Sequence, residues 1–203
     1  MAKTTSKPSS EKTATKSKPA NGSKTAHAGK NLAHLKDDMI AFLTAEDIEQ
    51  LVHKLAKQVE QDYAGKDIVF ICPLKGSCIF LSDLIRKIER PLQVDFVQLG
   101  AVEKGGAIRM LKDISVNVAG KHVVVVEEII DTGRTLNFLK TRLMASSPAS
   151  LKILTLLDKP ARREIPLKPD YVGQTIEDRY VVGYGMDSEE VGRNYAAIYY
   201  FRQ

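Results

Sequence analysis

The 203-residue chain has no tryptophan, two cysteines (Cys72 and Cys78), and no arginine before Arg86. Two cysteines build neither a disulfide framework nor a Cys-rich zinc module. A reducing, cytoplasmic setting is therefore expected. No apolar run approaches the roughly 18 residues that cross a bilayer, so no membrane partner is expected. Met1–Lys36 has no aromatic and no β-branched aliphatic residue; its large apolar side chains beyond Met1 are Leu32 and Leu35. Such a segment buries too little apolar surface to offset its ordering entropy. It lacks the apolar stretch of a secretory signal and the arginines of a mitochondrial transit peptide. Residues 1–36 are thus expected to be a disordered, solubilising tail rich in Lys, Ser, Thr and Ala, preceding one domain at 37–203.

Charge divides at the same point. The chain carries 30 basic and 25 acidic residues, a net charge of +5. Residues 1–36 hold eight lysines against Glu11 alone, or +7, and the remaining 22 basic and 24 acidic residues leave −2. The excess that would suggest nucleic acid belongs to the tail, so a nucleic-acid partner is not expected of the domain.

What is present is a hydrophobic fraction of 43%, arranged as alternating strands and helices. Thr44-Ala-Glu-Asp47 reads as a capping box. Ile48, Leu51, Val52, Leu55 and Val59 follow at helical spacing, to an end near Tyr63–Gly65. Asp67–Pro73 (DIVFICP) is a continuous apolar run, as in a strand buried on both faces. A helix is expected over Gly76–Ile88, a strand over Pro91–Leu99, and a mobile loop flanked by short strands over Gly100–Lys112. Lys121–Glu127 (KHVVVVE) is the strongest strand. Arg134–Met144 reads as a helix and Leu151–Leu157 as a buried strand. Shorter strands are expected at Lys168–Val172, Tyr180–Val182 and Asn194–Phe201. This alternation predicts an α/β fold with a parallel sheet flanked by helices. Ligands of such sheets bind at the carboxyl ends of the strands, here near Pro73, Glu127 and Leu157.

The segment after the strongest strand carries the most chemistry. It reads Glu127-Glu128-Ile129-Ile130-Asp131-Thr132-Gly133-Arg134-Thr135. A Thr-Gly-x-Thr turn opening a helix offers backbone N–H groups and two hydroxyls to a phosphate. The acids just upstream suit sugar hydroxyls and a divalent cation. Together they point to a sugar phosphate. The spacing is not that of a Walker P-loop. Pro73-Leu74-Lys75-Gly76-Ser77 also leaves a strand to open a helix, with small residues that let backbone amides approach an anion.

The stretch E-I-I-D-T-G-R-T closely resembles the phosphoribosyl-diphosphate (PRPP) motif of type I phosphoribosyltransferases, in the wording of the hypoxanthine-guanine branch. The resemblance spans roughly residues 38–203. It implies the type I fold with a small hood built from the chain ends. It implies that the turn Asp131–Thr135, with Thr132, Gly133 and Arg134, holds the 5′-phosphate, with Glu127 and Glu128 beside the ribose and magnesium (Mg2+). Asp131 would be the catalytic base near purine N7. Leu74, Lys75 and Gly76, across a Leu–Lys peptide that is often cis in the family, would bind pyrophosphate with Arg193. Lys159 would donate to the O6 of a 6-oxopurine, since adenine offers a donor there instead. Tyr180 would stack on the base, the Val181 backbone would bond its edge, and Asp187 would bind a second magnesium through water. The products would be IMP or GMP and pyrophosphate, made in the cytoplasm by a homodimer or homotetramer.

Two departures accompany the resemblance. Glu128 stands where the family usually has Asp. The flexible Ser-Tyr loop expected after Val94-Asp-Phe96 is missing, and Val97–Asp113 is short, although Gly105-Gly106 still permits a turn. That loop shields a cationic sugar transition state from water. Two alternatives to a hypoxanthine-guanine enzyme therefore stay open on the sequence: a weakly catalytic or inactive paralogue binding nucleotide or PRPP as a regulatory signal, and a transferase shifted to xanthine.

Overall fold

The computed structural model describes residues 37–101 and 107–202. The tail expected at 1–36 and the Gly105-Gly106 turn lie outside the described residues. The element order is β1 (Met39–Leu43), α1 (Ala45–Asp62), β2 (Ile68–Leu74), α2 (Ser77–Ile85), β3 (Gln93–Ala101), β4 (Ile108–Lys112), β5 (His122–Ile130), α3 (Arg134–Met144), β6 (Ser150–Asp158), β7 (Tyr171–Thr175), β8 (Val181–Val182) and β9 (Ile198–Phe201).

Six strands form the main sheet in the order β4-β3-β2-β5-β6-β7. Every pairing is parallel except β3 with β4, which turns back antiparallel at the edge. Strands buried on both faces explain the continuous apolar runs. Phe70, Cys72, Val124, Val126, Leu154 and Leu156 face one way, against Ile48, Val52, Leu55 and Val59 of α1 and Phe80, Leu81 and Leu84 of α2. Val69, Ile71, Val123, Val125 and Ile153 face the other way, against Leu136, Leu139 and Leu143 of α3. The capping box forms as expected: Asp47 N donates to Thr44 Oγ1 at 3.1 Å and Thr44 N to Asp47 Oδ2 at 2.9 Å.

A second, antiparallel sheet, β1-β9-β8, joins the two ends of the domain. This is the hood. Its first strand, β1, was not legible, because MIAFL has no clean alternation and precedes a stronger helix signal.

Several boundaries differ from the sequence expectation. The segment at Lys121–Glu127 continues to Ile130, because Glu127, Ile129 and Ile130 keep their pairing with Thr155, Leu157 and Asp158 of β6. The acidic pair therefore lies on the strand, not after it. The strand expected at 168–172 begins at Tyr171, since Pro169 has no N–H to pair and the Asp170 carboxylate accepts from Ile153 N at 2.8 Å. The last strand is Ile198–Phe201 alone; upstream, Tyr195 O accepts from Tyr184 N at 2.8 Å, so that stretch serves a loop. Gly100 and Ala101, expected in a loop, extend β3.

Candidate active site

The carboxyl ends of β2, β5 and β6 meet at one edge of the sheet. β2 ends at Leu74, the Leu74–Lys75 peptide is cis, and Gly76 precedes α2. No side chain fits at Gly76: a Cβ there would lie 2.8 Å from Gly185 O and would strike the Glu128 carboxylate. β5 ends at Ile130, and Gly133, at φ +82°, adopts the left-handed conformation just ahead of α3. That conformation suits glycine.

Between these two turns lies a cleft of about 240 Å3. It is lined by Leu74, Lys75, Gly76, Glu127, Glu128, Asp131, Thr132, Gly133 and Thr135, together with Ser77. Nine residues singled out from the sequence thus share one cavity. Arg134 turns aside to Glu164, with Nε 2.5 Å from Oε2.

Ser77 was missed as a site residue. Its hydroxyl contacts the carboxylates of Glu127, at 2.8 Å, and of Glu128. One hydroxyl has one hydrogen, so the second contact needs a proton on a glutamate or a cation nearby. Burial pushes both glutamates' proton affinity up, and at Glu127 the neighbouring Glu128 charge adds to this. The chemistry of this oxygen donor set fits a divalent cation, which would supply the missing positive charge. Among the described residues no three Asp, Glu, His or Cys side chains converge on one point. Two carboxylates completed by substrate oxygens match the habit of magnesium.

The remaining residues form two neighbouring groups. Arg193 Nη2 lies 2.7 Å from Asp187 Oδ1 and 3.6 Å from Glu190 Oε1, and Nη1 donates to Gly185 O at 2.8 Å. Glu190 Oε2 pairs with Lys75 Nζ at 2.5 Å. The Tyr180 hydroxyl donates to Asp187 O at 2.9 Å. Val181 is buried in β8, opposite Tyr200.

The second group surrounds Asp131. Its Oδ1 accepts from Arg162 Nε at 3.0 Å, and its backbone O accepts from Arg163 Nη1 at 2.6 Å. Lys159 is buried, with its N–H donating to Ile130 O at 3.0 Å. Burial lowers its proton affinity, and the nearby Asp131 and Asp178 carboxylates oppose that. Arg162, Arg163 and Asp178 were also missed. The arginine pair lies three and four residues after Lys159, in the turn that leaves the carboxyl end of β6, a position that marks both residues.

Comparison with known proteins agrees with this geometry. Residues 41–189 match the family model described as a phosphoribosyl transferase domain. The hypoxanthine-guanine phosphoribosyltransferase of Staphylococcus aureus is 41% identical over 157 residues, covering 75% of this chain and 88% of the relative. That of Aquifex aeolicus is 39% identical over 163 residues, covering 78% and 92%. The crystal structure of a Bacillus anthracis hypoxanthine-guanine phosphoribosyltransferase superposes with a TM-score of 0.77 at 44% identity, covering 81% of this chain and 97% of that one. The hypoxanthine phosphoribosyltransferase of Trypanosoma cruzi, solved with the product IMP, gives 0.77 at 34% identity, covering 80% and 93%. Family model, relatives and fold thus agree, and the chain belongs to the phosphoribosyltransferase family, in its hypoxanthine-guanine branch.

Proposed function

We propose that the protein is a purine-salvage transferase that makes IMP or GMP and pyrophosphate from PRPP and hypoxanthine or guanine. The observation that carries this reading is the single cleft holding both the 131–135 phosphate turn and the 74–76 pyrophosphate turn.

The 5′-phosphate is bound by the amides and hydroxyls of Thr132–Thr135, at the start of α3. The Leu74–Gly76 amides, Lys75 and Arg193 bind pyrophosphate; Glu190, now paired with both cations, gives way to it. Purine N9 attacks C1′ of the ribose with inversion as the pyrophosphate bond loosens. Asp131 takes or shares the N7 proton. Lys159 donates to O6 and Tyr180 and Val181 hold the base. Magnesium, the cofactor, would be held by Glu127 and Glu128, and by Asp187 through water, and when bound supplies charge neutralisation of the pyrophosphate. The same reading makes the protein a cytoplasmic homodimer or homotetramer, with residues 1–36 a solubilising extension of the domain at 37–203. No helix among the described residues is long and apolar enough to cross a membrane.

Incubation with magnesium, PRPP and each of hypoxanthine, guanine, xanthine and adenine tests the proposal. Nucleotide and pyrophosphate should form with hypoxanthine or guanine and not with adenine. Nucleotide binding without turnover on any base would overturn it.

A further inference from the structure

One guanidinium ties together the parts of the site that would read the base. Arg162 lies in the short 3-10 turn Pro160–Arg162 that follows β6. Its N–H donates to Lys159 O at 3.1 Å, and Lys159 N–H donates to Ile130 O at 3.0 Å. The turn is therefore pinned to the end of β5. From it the Arg162 side chain reaches two carboxylates on different elements. Nε donates to Asp131 Oδ1 at 3.0 Å, and Nη1 lies 3.6 Å from Asp178 Oδ2. Asp178 sits two residues before Tyr180, in the loop that enters β8.

We infer that Arg162 is a positioning residue for the transfer reaction, fixing one oxygen of Asp131 so that the other takes the purine proton, and holding the Asp178–Tyr180 loop in register with it. The inference rests on the transferase reading above. Arg162 and Asp131 are partly buried, with side-chain exposures of 34% and 45%, and Asp178 is exposed, at 49%. The bond from Nε is directional as well as charged. Asp131 chiefly, and Asp178 to a lesser degree, push the proton affinity of the guanidinium up, so it stays a cation throughout. A planar guanidinium serves two carboxylates at fixed angles, which a lysine ammonium at the same position cannot do. Orientation of a proton acceptor acts on the chemical step more than on PRPP capture, because PRPP is bound by the turns at Leu74–Gly76 and Thr132–Thr135.

The test is steady-state kinetics of the full chain carrying Arg162→Met, Arg162→Lys, Asp178→Asn and Asp131→Asn, and the double variant Asp131→Asn/Arg162→Met. Arg162→Met should lower kcat on hypoxanthine by about 10- to 100-fold, with the KM for PRPP within about twofold of wild type. Arg162→Lys should recover part of the loss, and Asp178→Asn should fall between wild type and Arg162→Met. On the Asp131→Asn background, Arg162→Met should cost little more, since the two act as one unit. Wild-type kcat in Arg162→Met would overturn the inference. So would a fully additive loss in the double variant, or a loss explained by a lower melting temperature and matched in Arg162→Lys. Absence of turnover in the wild-type protein would instead overturn the transferase reading itself.

Discussion

Glu127 and Glu128 occupy adjacent positions of β5 yet share one hydroxyl, that of Ser77. Both carboxyls are displaced upward from the ordinary value of 4.5, first by burial. An acid whose folded value is raised favours the folded state fully below its unfolded value. That contribution is lost as pH rises from about 4.5 through the raised folded values. The ligand-free protein should therefore melt lower at pH 8 than at pH 5 for this reason. Glu127→Gln should raise the ligand-free melting temperature at pH 8 and flatten its pH dependence. Relief of about 1 kcal/mol corresponds to about 2–4 °C. Magnesium with PRPP should stabilise the wild type more than the variant. Thermal melts across this pH range, with and without ligand, check both expectations. Ser77 itself was quoted in the sequence as part of a turn. Its role as the bridge between two glutamates depends on a contact across about fifty residues, which no local pattern reports.

At the scale of elements, the site depends on two glycine turns, one with no room for a side chain (Gly76) and one with a left-handed backbone (Gly133). Gly133→Ala would force an alanine into the left-handed region, at a cost of about 1–2 kcal/mol, and would set a Cβ 3.1 Å from Arg163 Cδ. The expected result is a lower melting temperature and weaker PRPP binding, measured by thermal shift and by KM. Gly76→Ala meets the Gly185 backbone oxygen at 2.8 Å as well as the Glu128 carboxylate, so it should cost more than Gly133→Ala. The central strands, α1 and α3 were legible because burial on both faces, or on one helical stripe, writes a strong apolar pattern. The phosphate turn was legible because its residue types are demanded by its chemistry. The short hood strand β1 and the exact start of β7 were not. Their boundaries are set by partners far along the chain, Phe201 for Met39 and Leu154 for Tyr171. Likewise the Arg162 bridge joins three segments, and only folding brings Asp131 and Asp178 to it.

For the whole molecule, the net charge of +5 conceals two regimes. The domain is mildly acidic, and its acids include Glu127, Glu128, Asp131 and Asp187, where metal, ribose and base would meet. Its anion binding would come from backbone amides, helix starts and a few cations such as Lys75 and Arg193. Deletion of residues 1–36 should leave kcat and KM within about twofold of the full chain, because every residue assigned a role in the proposed reaction lies within 37–203. A large loss in a steady-state assay of the truncated protein would give the tail a role in the reaction. The missing Ser-Tyr pair bears on the same scale, since β3 and β4 form an edge hairpin beside the cleft, with Leu99 in its lining. The most direct measurement is the initial rate of pyrophosphate release from PRPP and hypoxanthine by the wild type and by Asp131→Asn, with IMP affinity determined in parallel. The expected result is turnover by the wild type, a fall of about 10²- to 10⁴-fold in the variant, and little change in IMP affinity. Equal rates in the two proteins, or IMP binding with no turnover by the wild type, would contradict the account.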